Sequence, residues 1–353
     1  RLFYNLAIQI GDHLFYSGKM DSTRQIYEKA HEITALMIQS DETVAESYSY
    51  HAISTERLAD VLYYSGKAEE SYRFYREALS MHRKALELSP NDVSLLIPLT
   101  VSLTYSGWVA REEGEAEEAF NFYNEAVSIL RRLHLNDPLN TFIAAKFIGS
   151  LGELGNHHLL QGNLDEALST YMEADEFSLR FLERQVQAPS VLRAYAINAG
   201  LLSDVLIRSN YIEKAGGYLE RARGMFEQLA AKDPHNSEYQ ERIAELLIRE
   251  GDILITHVNR LEDAILLYEE ANRLQKQVAE RSGLSENWQI FAFTNYKLAL
   301  GYEALERFDN ALSLLHQARE LLLDLRARGL LDDGAVGYRI YLPQIEEKLN
   351  TMK

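Results

Sequence analysis

The sequence predicts an all-α protein: an α-solenoid of seven long helix–turn–helix repeats closed by a C-terminal capping helix. Three observations carry that expectation. The composition suits helices, with 19 Gly and only 6 Pro in 353 residues and Ala, Leu, Glu and Tyr recurring throughout. Small residues return every 48 positions, at Gly11, Ala59, Gly107, Gly155, Ser203, Gly251 and Ala299. Alanine returns with the same period, give or take one residue, at Ala30, Ala78, Ala126, Ala174, Ala222, Ala271 and Ala318. A fixed period of this length marks a stacked array, in which each unit buries its apolar face only against its neighbours.

The first column lies in the first helix of each unit, helix A. A turn follows: Ser17-Gly18-Lys19, Ser65-Gly66-Lys67, Glu113-Gly114-Glu115, Gln161-Gly162-Asn163 and Ser209-Asn210-Tyr211. Gly and Asn suit the left-handed residue that ends a helix. The sixth turn, His257-Val258-Asn259, carries one extra residue, and the seventh, Leu305-Glu306-Arg307, gives it back. Slippage of this kind is what a surface turn tolerates.

The second helix, helix B, holds a small residue, a large one four later and Ala three after that. The small residues are Thr23, Ser71, Ala119, Ala167, Ala215, Ala264 and Ala311; the large ones are Tyr27, Tyr75, Tyr123, Tyr171, Leu219, Tyr268 and Leu315. Offsets of four and three share one helical face. Small residues let a neighbouring helix approach, and the Tyr or Leu fills the space beside them. Units are joined by turns such as Ser89-Pro90-Asn91-Asp92, Asp137-Pro138-Leu139-Asn140 and Asp233-Pro234-His235-Asn236. There Pro stops one helix, and Asp92, Asn140 or Asn236 caps the next.

These residues resemble the tetratricopeptide repeat family, whose motif has a Leu-Gly/Ala pair and a later aromatic in helix A, a turn Gly, and Ala, an aromatic and Ala in helix B. Leu154-Gly155, Gly162, Ala167, Tyr171 and Ala174 follow it, as do Leu298-Ala299, Tyr302, Ala311 and Ala318. The resemblance spans nearly the whole chain and implies a right-handed solenoid. The period exceeds the usual ~34 residues by two heptads. One heptad in each helix keeps its facing to within about 20° and gives helices of about 20 residues. Long repeats with this Asp-Pro-x-Asn turn are similar to those of large bacterial signalling proteins, appended there to NTPase, kinase or protease modules. The resemblance thus implies a bacterial, cytoplasmic signalling setting and a further domain in the full-length protein.

The array is expected over residues 1–332 and the cap over 333–353. The next small-column position would be Glu347, so the pattern stops there, and Pro343 starts or kinks the cap helix. The chain opens as Arg1-Leu2-Phe3-Tyr4, already within an apolar helical pattern, and reads as a piece of a longer protein. Leu2, Phe3 and Leu6 are therefore expected on an exposed edge.

Net charge is −17, from 36 Lys and Arg against 53 Asp and Glu. That field repels phosphate backbones and disfavours nucleic acid. It favours basic or neutral protein surfaces and keeps a long array soluble. No cysteine is present, so disulfides, zinc–thiolate sites and cysteine nucleophiles are excluded and a reducing compartment is a consistent setting. No apolar run of about 18 residues is expected to span a membrane, and no signal peptide is visible.

Helix A lines the concave face in the family that the chain resembles, and the residue after each small helix-A position points towards that face. Here these are Asp12, Asp60, Trp108, Asn156, Asp204, Asp252 and Leu300. One reading is an acidic groove for a basic or amide-rich peptide, with Trp108 as an aromatic anchor and Tyr16, Tyr63 and Tyr64 nearby. The other is that Asp or Asn here bonds a neighbouring helix and stabilises the repeat. Some family members clamp an acidic carboxy-terminus with Lys and Asn. This chain has Ile8, Glu56, Thr104 and Gly152 at the Lys positions of its first four units, which argues against that function. Adjacent His157 and His158 point about 100° apart on a helix and make a poor metal site, so they are expected as a partly exposed pair. Glu112, Glu113, Glu115, Glu117 and Glu118 form an acidic turn, and Arg131, Arg132, Arg326 and Arg328 suit helix C-terminal dipoles. No acid, base and nucleophile fall together at helical spacing. The expectation is a non-enzymatic scaffold for a protein or peptide, with no metal and no cofactor; a ligand-sensing regulatory region and a self-assembly element are the alternatives.

Overall fold

A computed structural model describes residues 2–16, 19–65, 67–184, 188–234, 236–331 and 336–352. Helices account for the regular structure, with no strand among the described residues. Seven consecutive pairs follow one another. They are α1 (Leu2–Tyr16) with α2 (Met20–Ser40), α3 (Ala45–Tyr64) with α4 (Ala68–Leu88), and α5 (Leu96–Glu112) with α6 (Ala116–Asn136). Then come α7 (Thr141–Leu160) with α8 (Leu164–Arg184), α9 (Pro189–Arg208) with α10 (Ile212–Lys232), α11 (Ser237–Ile253) with α12 (Leu261–Ser282), and α13 (Ser285–Ala304) with α14 (Phe308–Ala327). A last helix, α15 (Leu342–Thr351), packs on α14. The chain divides into two compact units, residues 1–198 and 199–353.

The caps act as their sequences require. Asp92 accepts from the Ser94 amide at 2.9 Å, Asn140 from Phe142 and Ile143 at 3.1 Å, and Asn236 from Glu238 at 3.1 Å. Within pairs, Gly114 (φ 82°), Gly162 (φ 79°) and Asn210 (φ 61°) take the left-handed conformation; Gly18 and Gly66 lie outside the described residues. The extra residue of the sixth unit is absorbed differently from the sequence expectation. It is wound into the end of helix A as a π turn, Leu254–Val258, before Asn259 turns left-handed at φ 56°. Keeping the residue in the helix preserves its backbone hydrogen bonds, which a bulged loop would forfeit.

All residues of the helix-A small column and of the helix-B columns are buried. Glycine is obligatory at four of the helix-A positions. A Cβ at Gly11, Gly107, Gly155 or Gly251 would stand 2.2, 2.7, 2.8 or 2.5 Å from the ring of Tyr27, Tyr123, Tyr171 or Tyr268. Where the helix-B residue is Leu219 or Leu315, the helix-A partner is Ser203 or Ala299. Ring and glycine are thus one packing unit in the first, third, fourth and sixth repeats, while Tyr75 of the second packs with Ala59.

The contacts between units are partly polar in the first half of the chain. Thr34 Oγ1 lies 2.9 Å from His51 Nδ1 and 3.1 Å from Ser54 Oγ. One unit on, the Glu56 carboxylate is fully buried and accepts from the Ser102 hydroxyl. His82 Nε2 stands 3.9 Å from Glu56, beyond hydrogen-bond range. Burial pushes Glu56 up to about 7 and holds His82 neutral, down to about 4.

At the start of the chain, Leu2, Phe3 and Leu6 are 82%, 77% and 51% exposed, as the pattern required. At the end, Pro343 sits in the first turn of α15, which buries Leu342, Ile345 and Leu349 and turns Gln344 and Glu347 outward; residues 332–335 lie outside the described set. Two stretches correct the hydropathy reading: Val93–Glu112 and Pro189–Arg208 have the length and mean hydropathy of a membrane span. Half or more of each is buried in the fold, the property of a packed core helix.

Candidate functional site

The aspartates after the small column are built into the repeats. A small residue, Gly11, Ala59 or Gly251, leaves room for the tyrosine ring beside helix A, so its hydroxyl reaches the next residue. Tyr27 donates to Asp12 at 2.6 Å, Tyr75 to Asp60 at 2.5 Å and Tyr268 to Asp252 at 2.5 Å. Burial and the adjacent carboxylate hold all three phenols protonated, far above their ordinary range. The position 15 residues after Asp204 is Leu219, which has no hydroxyl. Among the described residues the Tyr123 hydroxyl, opposite Trp108, is buried without a hydrogen-bond partner.

A second set of partners comes from helix A of the following unit. Arg57 Nε lies 2.8 Å from Asp12. Arg249 Nη1 donates to both Asp204 oxygens at 3.1 and 3.2 Å, and Lys297 Nζ to both Asp252 oxygens at 2.7 and 2.8 Å. Each cation lies 45 residues beyond its aspartate. The position at that offset from Asp60 is Tyr105, which stacks on Tyr75, and Asp60 takes a longer 3.5 Å contact from Arg57 in its own helix. Burial raises the Asp60 and Asp204 carboxyls, offset by Tyr75 and Arg57 for the first and by Arg249 for the second. Three of the four aspartates therefore act as links between consecutive units and remain partly exposed.

The aromatic candidates gather at the turn end of α3 and α5. The Trp108 ring meets Tyr63 at 4.9 Å, Tyr72 at 5.4 Å and Tyr75 at 5.9 Å, all edge-on. Tyr64 packs edge-on against Phe15 at 5.3 Å. Tyr63 and Tyr64 keep large exposed faces. The acidic turn stands beside this cluster: Glu112 and Glu113 raise the Tyr72 phenol, after burial, and Arg76 pairs with Glu113 and Glu118. Asn156 is half-buried. The Tyr16 side chain lies outside the described residues. His157 departs from expectation. It is buried against Phe120 and Tyr123, at 6.1 and 6.0 Å between rings, and serves packing. No group of metal ligands assembles among the described residues.

Sequence reasoning found the aspartate row and the tyrosine column without joining them, although a constant offset of 15 or 16 residues connects the two. It missed the cations. Their signal was one further column, in which Arg57, Arg249 and Lys297 follow three of the four aspartate-bearing units.

No protein-family model matches the sequence, and no curated protein matches it. Solved structures do. The chain is similar to BtubC (BKLC) from P. vanneervenii, at 17% identity and TM-score 0.58 over 73% of this chain and 92% of that one. It is similar to the apo form of RapI, at 14% identity and TM-score 0.56 over 91% and 99%. A tetratricopeptide repeat protein from Parabacteroides merdae ATCC 43184 aligns over 100% and 99% at 15% identity, with a TM-score of 0.39. With its consecutive helix pairs, the chain has the fold of the tetratricopeptide-like α-solenoids.

Proposed function

We propose that the chain is a protein-interaction scaffold that takes a protein or peptide with basic side chains along its helix-A surface. The observation that carries this is the half-exposed aromatic cluster of Tyr63, Tyr64 and Trp108 set beside the acidic turn. Large, stiff aromatic faces supply contact area at low entropic cost. Neighbouring carboxylates favour a guanidinium or ammonium stacked on such a face. In this reading Asp12, Asp60 and Asn156 present their remaining exposed edges to the same partner. A second reading, self-assembly through the exposed Leu2, Phe3 and Leu6 edge, is favoured by that exposure; concentration-dependent light scattering would detect it.

The test places a photo-crosslinking residue at Tyr64 and, as control, at exposed Leu36 on α2. Capture of the same protein at Tyr64 and not at Leu36 is expected. Affinity and melting temperature of Asp60→Asn then separate the two roles of the aspartates. Lost stability with unchanged affinity for the captured protein would remove them from the binding surface.

A further inference from the structure

The groove between α6 and α8 departs from the repeat pattern in a directed way. Helix-B residues of successive units are joined by an ion pair 42 residues apart: Arg83 Nη2 to Glu125 at 3.1 Å, and one unit later Arg131 Nη2 to Glu173 at 2.6 Å. The helices of the first pair also carry Glu87, Ile129 and Asn136. Advanced by the 48-residue period, these positions become Leu135, Phe177 and Arg184. An acid has become a leucine, an aliphatic residue an aromatic and a neutral amide a guanidinium. The scaffold is the same, so packing of the repeat does not demand the change.

The outcome is an open cavity of about 300 Å³. Phe147 and Phe177 line it edge-to-face at 4.9 Å, and the His134 ring lies 4.8 Å from Phe177. Leu135 stands at its rim, 74% exposed. In a chain of net charge −17, this lining carries three arginines and one glutamate. Glu173 is engaged by Arg131, and Arg180 contacts Glu176 at 3.4 Å. Arg184 has no ion pair among the described residues. The volume has room for one large apolar side chain rather than a whole cofactor, and guanidinium groups favour carboxylate partners.

We propose that this groove binds an acidic peptide segment bearing one large apolar residue. The apolar side chain sits against Phe177 and Leu135, and flanking carboxylates pair with Arg184 and Arg180. This surface lies mainly on the second helices, with Phe147 from α7, and selects the opposite charge to the helix-A residues above.

The probe is a fluorescein-labelled peptide, acetyl-Glu-Glu-Phe-Leu-Glu-Glu-amide, titrated with the full chain and followed by anisotropy. Saturable, salt-sensitive binding is expected. Leu135→Glu with Arg184→Asn restores two of the three residues of the preceding groove and should weaken binding at least tenfold. Both sites are exposed, so the circular dichroism spectrum should not change. Arg132→Gln, outside the cavity, should leave affinity as it was. Equal affinity for the double variant, equal binding of a peptide with Lys in place of Glu, or no saturable binding would overturn the proposal.

Discussion

The contact between the second and third repeats and the contact between the fifth and sixth occupy the same register and use opposite chemistry. In the first, the positions are His82, Leu99 and Ser102, with the buried Glu56 carboxyl beside them. In the second they are Phe226, Ile243 and Leu246, all buried, with the Phe226 ring 6.3 Å from Tyr239. What the repeat prescribes here is volume and depth; polarity is left free. The cost of that freedom falls on the polar contact, because each buried polar atom there needs a partner. His82 has none for either ring nitrogen among the described residues.

The largest effect should therefore come from the apolar contact. Phe226→Ala removes a fully buried ring and should destabilise by about 3–5 kcal/mol. His82→Ala, at the equivalent position, should cost clearly less, because it also removes two unpaired buried nitrogens. Repeat arrays unfold in parts, so the measurement is hydrogen exchange in α10 and α11 for the first variant and in α4 and α5 for the second. Equal losses of protection would erase the distinction between the two contacts.

The next effect is a pH dependence carried by the buried polar groups of the first repeats. Glu56 is raised from 4.5 to about 7, so the native state holds this proton to higher pH than the unfolded chain does. Its contribution is complete below pH 4.5 and is lost as pH rises through 7, about 3 kcal/mol in all. His82 and His51 are lowered to about 4 and carry the opposite sign. Their contribution is complete above pH 6.5 and is lost as pH falls through 4. Glu56→Gln isolates the carboxyl: the stability of wild type relative to this variant should fall steadily between pH 4.5 and 8 in urea denaturation. A constant difference across that range would show that Glu56 titrates normally in the folded protein.

Within the same contact, Ser102→Ala deprives the buried Glu56 of its hydrogen-bond donor and should cost about 1–3 kcal/mol. In the Glu56→Gln background the loss should shrink, since a neutral amide needs that donor less. Additive losses in the double-mutant cycle would mean that the two side chains are not coupled.

Most of the fold was legible because repetition amplifies weak signals. A single Gly-to-Tyr spacing says little, but Gly11 with Tyr27, Gly107 with Tyr123, Gly155 with Tyr171 and Gly251 with Tyr268 state a packing rule. The caps at Asp92, Asn140 and Asn236 were readable for the same reason. Features that belong to one place escaped. The π turn at Leu254–Val258 arises from a single inserted residue, whose position within the turn the sequence leaves open. The Arg57, Arg249 and Lys297 links required knowing which helix-A side chains meet across units. The burial of His157 depends on Phe120 and Tyr123 reaching it from α6. Adjacent histidines alone carry no information about depth.

The contrast between regions extends to the turns within pairs and yields the smallest prediction. Among the described residues of 1–198 the left-handed position is Gly114 or Gly162; in 199–353 it is Asn210, Asn259 or Glu306, at φ 61°, 56° and 57°. Asparagine tolerates this conformation through local hydrogen bonding, but a glutamate Cβ crowds the following carbonyl. Glu306→Gly relieves that crowding, worth about 1–2 kcal/mol. It also adds backbone freedom to the unfolded chain, which returns about 0.5–1 kcal/mol of the gain. The net should be a stabilisation of several tenths to about 1 kcal/mol, read as added exchange protection at the ends of α13 and α14. Gly162→Glu reverses both terms and should destabilise the end of α7 by a similar amount. If Glu306→Gly instead destabilised its turn, the Glu306 side chain would be supplying an interaction that outweighs the strain.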